Sequence, residues 1–315
     1  MAVLSYDGRH LLETILPSLA AQRFRDFEVV VVDNGSRDDT AEWLREHWPE
    51  IEVVSLPENV GVTAALNVCA RAGRGELVGL FNNDLELEPD CLGEMVDTLR
   101  SHPETGWVGA KLRDFEHREL LDGTGDVFTW AGTGGRRGHG EPDRGQYDEP
   151  RAIFGACGGA AIYRRSVFAA VGEFDEAFFA FYEDVDWNLR AQLAGFKCRY
   201  VPTAVVYHMG SATIGRGLSD FTCYHLWRNG VWIVVKDLPA GALLRHGHRL
   251  ALGQLMHLAV AVRDRKLGIW LRAWRDAVRA LPSVLRKRRE VQARRRIDLR
   301  ALEAIVGPDG GAAGS

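Results

Sequence analysis

The chain has 315 residues, 46% of them hydrophobic and 26% charged, enough for one large α/β domain or a domain with an appendage. Its net charge of −4 hides a division: residues 263–300 carry 14 Lys/Arg against 4 Asp/Glu, while the body before them is acidic. Five scattered cysteines with no CxxC pair argue against a disulfide framework or zinc site, and no run of 18 apolar residues exists to span a membrane.

The first hundred residues alternate. Residues 2–6 (AVLSY) read as a strand and 11–21 as a helix. The β-branched run 27–33 (FEVVVVD) reads as a strand covered on both faces. A helix over 40–48, a strand over 51–56, a helix over 63–72, a strand over 76–81 and a helix over 90–101 follow. This order predicts an α/β fold, a doubly wound and mainly parallel sheet with helices on both faces. Ligands of such sheets sit beyond the carboxyl ends of strands, where Asp33 and Asn82–Asp84 fall. Residues 107–112 read as a strand, and 123–148 as a long loop or irregular hairpin of the kind that meets a substrate. A strand over 158–165 leads into a short helix; 184–193 is helical, and 197–208 is a strand pair or one bent strand. Beyond Leu218 the chain reads as helical to Glu303, a C-terminal helical extension. The expected division is 1–235 as the main domain (a nucleotide-binding half, 1–105, and an acceptor or catalytic half, 106–235), 236–303 as a basic amphipathic helical region, and 304–315 as a disordered tail.

Trp270, Trp274, Val278 and Leu281 share one face of the tail's helix, and RKRR (286–289) and RRR (294–296) follow. That pattern fits an interfacial helix on an anionic membrane, or a helix packed on the domain with solvated arginines. Nucleic acid is not expected, because no aromatic stacking platform accompanies the charge. With no signal peptide at the start, the expected location is cytoplasmic, peripheral on the inner face of the cell membrane.

Five segments carry polar residues beyond what a turn or a cap needs. In VVVVDNGSRDDT (29–40), Ser36 and Asp39 read as a capping box, which leaves Asp33 free to accept a pyrimidine N–H. In PENVGVTAALNVCA (57–70), Asn59 and Gly61 form a turn, and Asn67 interrupts a helix, facing either solvent or a ligand. In LVGLFNNDLELEPD (77–90), Asp84 is a hard oxygen ligand suited to Mg²⁺ or Mn²⁺ with phosphates, or a turn residue. In 172–195, Glu183, Asp184 and Asp186 gather at a helix start behind Phe178, Phe179, Phe181 and Tyr182; one of the three could serve as a general base, while Asp186 pairs with Arg190 at i, i+4. In VVYHMGSATIGRG (205–217), His208 is a structural residue or a ligand, and Arg216 is a candidate diphosphate clamp on a Gly-hinged lid. P-loop, dinucleotide and GxSxG motifs are absent.

Taken in order, VVVVDNGSRDDT, ENVGVTAALN, LFNNDLELEPD, the stretch from GACGGAAIYRR to YEDVDWNLR, and VYHMG resemble the inverting glycosyltransferases of family 2, with the GT-A fold, over residues 2 to about 235. The branch most similar is the rhamnosyltransferase-like group acting on cell-surface glycans. The resemblance implies that Tyr6 and Asp33 line the base pocket and that Asn67 lies near the donor. Asn82 and Asn83 lie near ribose and phosphate. Asp84 and His208 hold a divalent metal, Mg²⁺ or Mn²⁺, and Asp184 is the catalytic base. Glu183, Tyr182, Gly158 and Gly159 are candidates for the acceptor side. Two departures stand out: Asn82 occupies the first position of the family's Asp-x-Asp motif, and the first strand begins almost at Met1, which leaves room for a truncated start and an incomplete base pocket.

The expected reaction moves a sugar from a dTDP- or UDP-linked donor to a hydroxyl of a saccharide or lipid-linked acceptor, with inversion. The rivals are a nucleotide-sugar-binding partner subunit without turnover, and a nucleotidyltransferase; the latter needs a Gly-rich basic loop after the first strand, where this chain has RHLLETIL.

Overall fold

A computed structural model of the chain describes residues 1–210 and 219–307. The elements in chain order are β1 (Ala2–Ser5), α1 (Arg9–Ala20), β2 (Val30–Asp33), α2 (Thr40–His47), β3 (Glu52–Ser55), α3 (Val62–Arg71), β4 (Leu77–Asn82), β5 (Leu85–Leu87) and α4 (Cys91–Ser101). There follow β6 (Thr105–Asp114), β7 (Leu121–Gly123), β8 (Asp126–Phe128), β9 (Gly134–Arg136), β10 (Arg151–Ile153), β11 (Ala160–Arg164), α5 (Arg165–Val171), α6 (Glu183–Leu193) and β12 (Lys197–His208). Five helices close the chain: α7 (Asp220–Asp237), α8 (Ala240–Arg263), α9 (Leu267–Arg279), α10 (Leu281–Arg294) and α11 (Leu299–Ile305).

The sheet runs β10-β12-β6-β11-β4-β1-β2-β3, with β5 on β12 and β7 on β6. β4, β1, β2 and β3 are parallel, as are β6 and β12; β11 lies antiparallel between β4 and β6. That antiparallel strand joins two parallel blocks, a feature the local pattern of residues 158–165 does not announce.

Strand alternation sends Val3, Val31 and Phe81 to one face and Leu4, Val32 and Leu80 to the other. The first face is covered by α1, α2 and α4, the second by α3, α5 and α6. Each fully buried Leu or Phe contributes roughly 1.5–3 kcal/mol, so the two-sided burial fixes the register of β1, β2 and β4 and hence the position of their tips. β12 is one bent strand rather than a pair: its register against β6 slips between Val201 and Val205, around Pro202, which has no N–H to give the ladder.

The C-terminal helices form a third core with the β8–β9 hairpin and α6. Trp274 packs into this core and Trp270 into a smaller one with Cys223 and Trp227 of α7, so two of the four residues read as a bilayer face are turned inward. Part of the polybasic run is also engaged. Arg288 donates to the Val235 and Leu238 carbonyls at the end of α7, and Arg294 to Val171 O. A guanidinium there satisfies carbonyls that the helix end leaves without partners.

Candidate active site

The tips of β1, β2 and β4 lie side by side. Beyond them opens a cavity of about 440 Å³ that both Asp84 and Asp184 line. The loops after β1 and β2 are stitched together: Ser36 Oγ accepts the Asp7 N–H, and Asp7 accepts the Arg37 N–H. Ser36 is therefore not half of a capping box; α2 starts behind Asp39, whose side chain makes no cap, and Asp38 accepts the Thr40 N–H instead.

Tyr6, Asn82 and Asn83 line the cavity with Asp84. Asn83 donates to Ser5 Oγ at 3.0 Å. Asp33 is buried and accepts the Ser36 N–H at 3.0 Å; its neighbour Asn34, rather than Asp33 itself, reaches the cavity wall. Asn34 in turn accepts the Val60 N–H and so holds the turn before α3. Asn67 is neither solvent-facing nor in the cavity. It is buried, exchanges two hydrogen bonds with the backbone of Phe174 and donates to Glu176, so its amide is consumed in clipping the loop ahead of α6. Arg216 lies outside the described residues.

On one wall, His208 stands between two carboxylates. Its Nε2 is 3.3 Å from Asp84 Oδ2 and its Nδ1 is 2.8 Å from Asp122 Oδ2. Asp122 also pairs with Arg136 of β9. Burial alone would raise the Asp122 carboxyl, but the His208 hydrogen bond and the Arg136 charge outweigh it and bring it down to about 2. Burial likewise disfavours charge on His208, but Asp122 and Asp84 outweigh it and raise the ring to about 9. The other Asp84 oxygen, Oδ1, is buried with no hydrogen-bond partner among the described residues. An orphaned carboxylate oxygen beside an imidazole whose far nitrogen is held by a second carboxylate suits a divalent cation, which would bind in place of the proton that His208 otherwise carries on Nε2.

The opposite wall is the start of α6. Asp184 points into the cavity, where its Oδ2 accepts the Gly158 N–H at 3.2 Å and its Oδ1 accepts the Val185 N–H at 2.7 Å. Glu183 is buried, and its Oε2 has no partner among the described residues; burial and the Asp184 charge push it up to about 8. Asp186 turns away to Lys236 and Arg190, a structural pairing. Asp126, Cys157 and Asp184 bring ligand atoms within 4.8 Å of one another. Burial, however, pushes Cys157 up to about 12 and Asp126 well above the carboxylate range, so two of the three hold their protons.

Gly158 and Gly159 fill the gap between the walls. A Cβ at Gly159 would meet Asn82 Nδ2 at 2.5 Å, and one at Gly158 would stand 3.0 Å from Asp184 Cβ. Over the cavity runs FFAFY, with Phe179, Phe181 and Tyr182 all left-handed at φ 65°, 64° and 66°. Such backbone costs about 1–3 kcal/mol per residue and needs outside restraint. Asn229 of α7 supplies it: fully buried, its amide nitrogen donates toward the carbonyls of Phe178, Ala180 and Phe181 at 3.2, 2.9 and 2.7 Å. Tyr182 Oη accepts the Gly134 N–H of β9, which ties the same loop to the hairpin. Asp122, Arg136 and Asn229 escape sequence reasoning, since none belongs to a local motif; Asn34 lies in the 29–40 motif, but the expected base contact falls on Asp33. The only signal was the Gly/Arg/Asp-rich composition of 123–148, which holds Arg136.

Comparison with known proteins agrees with this architecture. A family model described as "Glycosyl transferase family 2" matches residues 2–172. The N-acetylglucosaminyl-diphospho-decaprenol L-rhamnosyltransferase of Mycobacterium tuberculosis is 28% identical over 292 residues, 82% of this chain and 92% of that protein. Among solved structures, S. aureus TarS 1-349 in complex with UDP-GlcNAc aligns with TM-score 0.58 at 20% identity, over 92% of this chain and 87% of that one. The mannosyltransferase PcManGT from Pyrobaculum calidifontis, with GDP-Man and Mn²⁺, aligns with TM-score 0.56 at 19% identity, over 93% and 84%. The sheet with its appended helices is thus the GT-A fold, and the chain belongs to glycosyltransferase family 2.

Proposed function

We propose that this glycosyltransferase moves a sugar from a nucleotide-diphosphate donor to a hydroxyl of a saccharide or lipid-linked acceptor, with inversion, in cell-surface glycan synthesis. The observation that carries the reading is that Asp84 and Asp184 line one cavity. Residues 1–105 hold the nucleotide, 106–235 present the acceptor and the base, and 236–303 form the helical region that faces the membrane. Tyr6 and Asn34 stand nearest a base, and Asn82 and Asn83 nearest ribose and phosphate. Likeness to the mycobacterial L-rhamnosyltransferase favours rhamnose as the sugar and a lipid-diphosphate-linked acceptor; the family resemblance favours dTDP as its carrier, and the basic C-terminal region favours a peripheral place on the inner face of the membrane.

Asp84 and His208 would hold Mg²⁺ or Mn²⁺, which supplies charge neutralisation for the diphosphate. Asp184, half-buried and held by two backbone N–H groups, accepts the proton of the acceptor hydroxyl. The freed oxygen forms a bond to the anomeric carbon as the bond to the diphosphate oxygen breaks on the far side. Gly158 and Gly159 leave room for the sugar between the walls, and Phe179, Phe181 and Tyr182 help to exclude water.

General-base assistance is worth about 10²–10⁴ in rate. Asp184→Asn is therefore expected to lower nucleotide release in the presence of acceptor by that factor, while donor affinity measured by calorimetry stays near that of the unmodified chain. Equal loss of donor affinity would make Asp184 a ligand rather than a base. Asn82 favours one other reading, a donor-binding subunit without turnover; donor binding with no product from any acceptor would establish it.

A further inference from the structure

Among the described residues no helix is long and apolar enough to cross a membrane. Helix α8 nonetheless carries a long apolar face in the open. Leu244 is 87% exposed, Leu255 61% and Val262 58%, and these three align at i, i+11 and i+18. Leu252 and Met256, each 58% exposed, widen the stripe on one side. Gln254 and His257 turn away from that face, with Gln254 Oε1 and His257 Nδ1 buried, whereas His248 is exposed within it. Monomeric proteins rarely leave such a stripe uncovered.

The charges around it select the occupant. The 24 residues of α8 include Arg245, Arg249 and Arg263 and no acidic residue. Residues 240–280 carry eight Lys/Arg against two Asp/Glu. Arg245 and Arg263 each share one carboxylate, Glu303 and Asp264, so an excess of positive charge remains. A second copy of the chain laid on the same face would bring arginines to arginines. An anionic bilayer offers acyl chains to the stripe and headgroups to the arginines.

The inner face of α8 is equally specific. A Cβ at Gly253 would lie 2.0 Å from the Ala131 carbonyl oxygen, so the helix sits directly on the turn of the β8–β9 hairpin. Trp130 of that turn stacks on His246 with ring centroids 3.8 Å apart. The other side of the hairpin, Gly134 to Arg136, lines the cavity.

We infer that the outer face of α8 docks the enzyme on an anionic bilayer, with a single hairpin between the docked helix and the cavity. The inference deepens the proposed membrane-side function and rests on it. It differs from the sequence expectation in using α8 rather than the Trp270 and Trp274 face of α9.

The test is sedimentation of the full chain with phosphatidylcholine vesicles, with and without about one-third phosphatidylglycerol. Binding to the anionic vesicles is expected, weakened about tenfold in their neutral counterparts and weakened by high salt. L252D/L255D is expected to lower binding at least about tenfold, and R245E/R249E to lower it severalfold. Both should leave nucleotide release with a soluble acceptor unchanged. Absence of binding to anionic vesicles, or variants that bind like the unmodified chain, overturns the inference. So does a dimer in light scattering that L252D/L255D dissociates, since a second copy would then cover the face. Vesicle binding without nucleotide release would support the docking and sink the transferase reading instead.

Discussion

Beside Asp84, positive neighbours keep the Asp122 carboxylate ionised; on the Asp184 wall, burial keeps protons on Glu183 and Asp126. His208 and Arg136 bring Asp122 down to about 2, whereas Glu183 rises to about 8 and Asp126 rises well above the carboxylate range. The difference lies in what surrounds each acid. The first wall sets the His208 imidazole between Asp84 and Asp122; the Arg136 guanidinium stands between the walls, lowering Asp122 and, against a larger burial penalty, Asp126. The second sets its acids in a low-dielectric shell and gives only Asp184 two backbone N–H groups. Under the proposed function, the first wall would hold the cation that meets the diphosphate and the second would take up one proton at a time.

Three substitutions sharpen that contrast. Asp122→Asn removes the carboxylate that orients His208 without touching Asp84. Outer partners of metal ligands typically matter by 10–100-fold in metal affinity. The Mn²⁺ concentration giving half-maximal nucleotide release should rise by about that factor, with little change at saturating metal. An unchanged metal dependence would remove the Asp84 wall from cation binding.

A smaller effect is expected at the roof of the cavity. Asn229→Ala leaves up to two loop carbonyls, those of Ala180 and Phe181, without their amide donor, while Phe178 O keeps Arg228 and the Ala180 N–H, at about 1–3 kcal/mol for each group left unsatisfied. The turnover number should fall about tenfold with a lesser change in donor KM, together with a lower melting temperature. A drop in melting temperature alone would make Asn229 a purely structural residue.

The smallest effect on turnover belongs to Glu183→Gln, which is read instead in stability against pH. In the folded chain Glu183 keeps its proton up to about 8, whereas the unfolded chain releases it near the ordinary glutamate value of 4.5. Its contribution is thus fully present below 4.5 and is lost as pH rises toward 8. The Gln variant should lose that share of the slope, melting closer to the same temperature at pH 5 and pH 8 than the unmodified chain does. An unaltered slope would mean that the second wall does not hold its protons.

Sequence legibility followed range. The alternation from β1 to α4 was readable to within a few residues because each element carries its own period and punctuation. Asp84, Asp184 and His208 stood out as candidates because they fall at strand ends or a helix start, their expected roles came from the family resemblance, and all three line the cavity. Asp122 was not, since its partner His208 lies 86 residues away and nothing local marks the pair. Asn229 reads as a helix residue until the loop beneath it is seen. The tail illustrates a different limit: periodicity finds a stripe on a helix but not what covers it. Trp270 and Trp274 turned inward against α7, and the exposed stripe fell on α8, whose sequence looked interrupted.

The left-handed turn of Phe179, Phe181 and Tyr182 has a consequence for anyone improving this protein. Glycine would relax the backbone at each of these positions, but the ring it removes is worth more than the strain it relieves: Tyr182 would lose its packing and its bond to Gly134, and Phe179 its seat on Gly61. Anyone hardening this protein should therefore leave the turn strained, because the same rings hold it together and close it over the cavity.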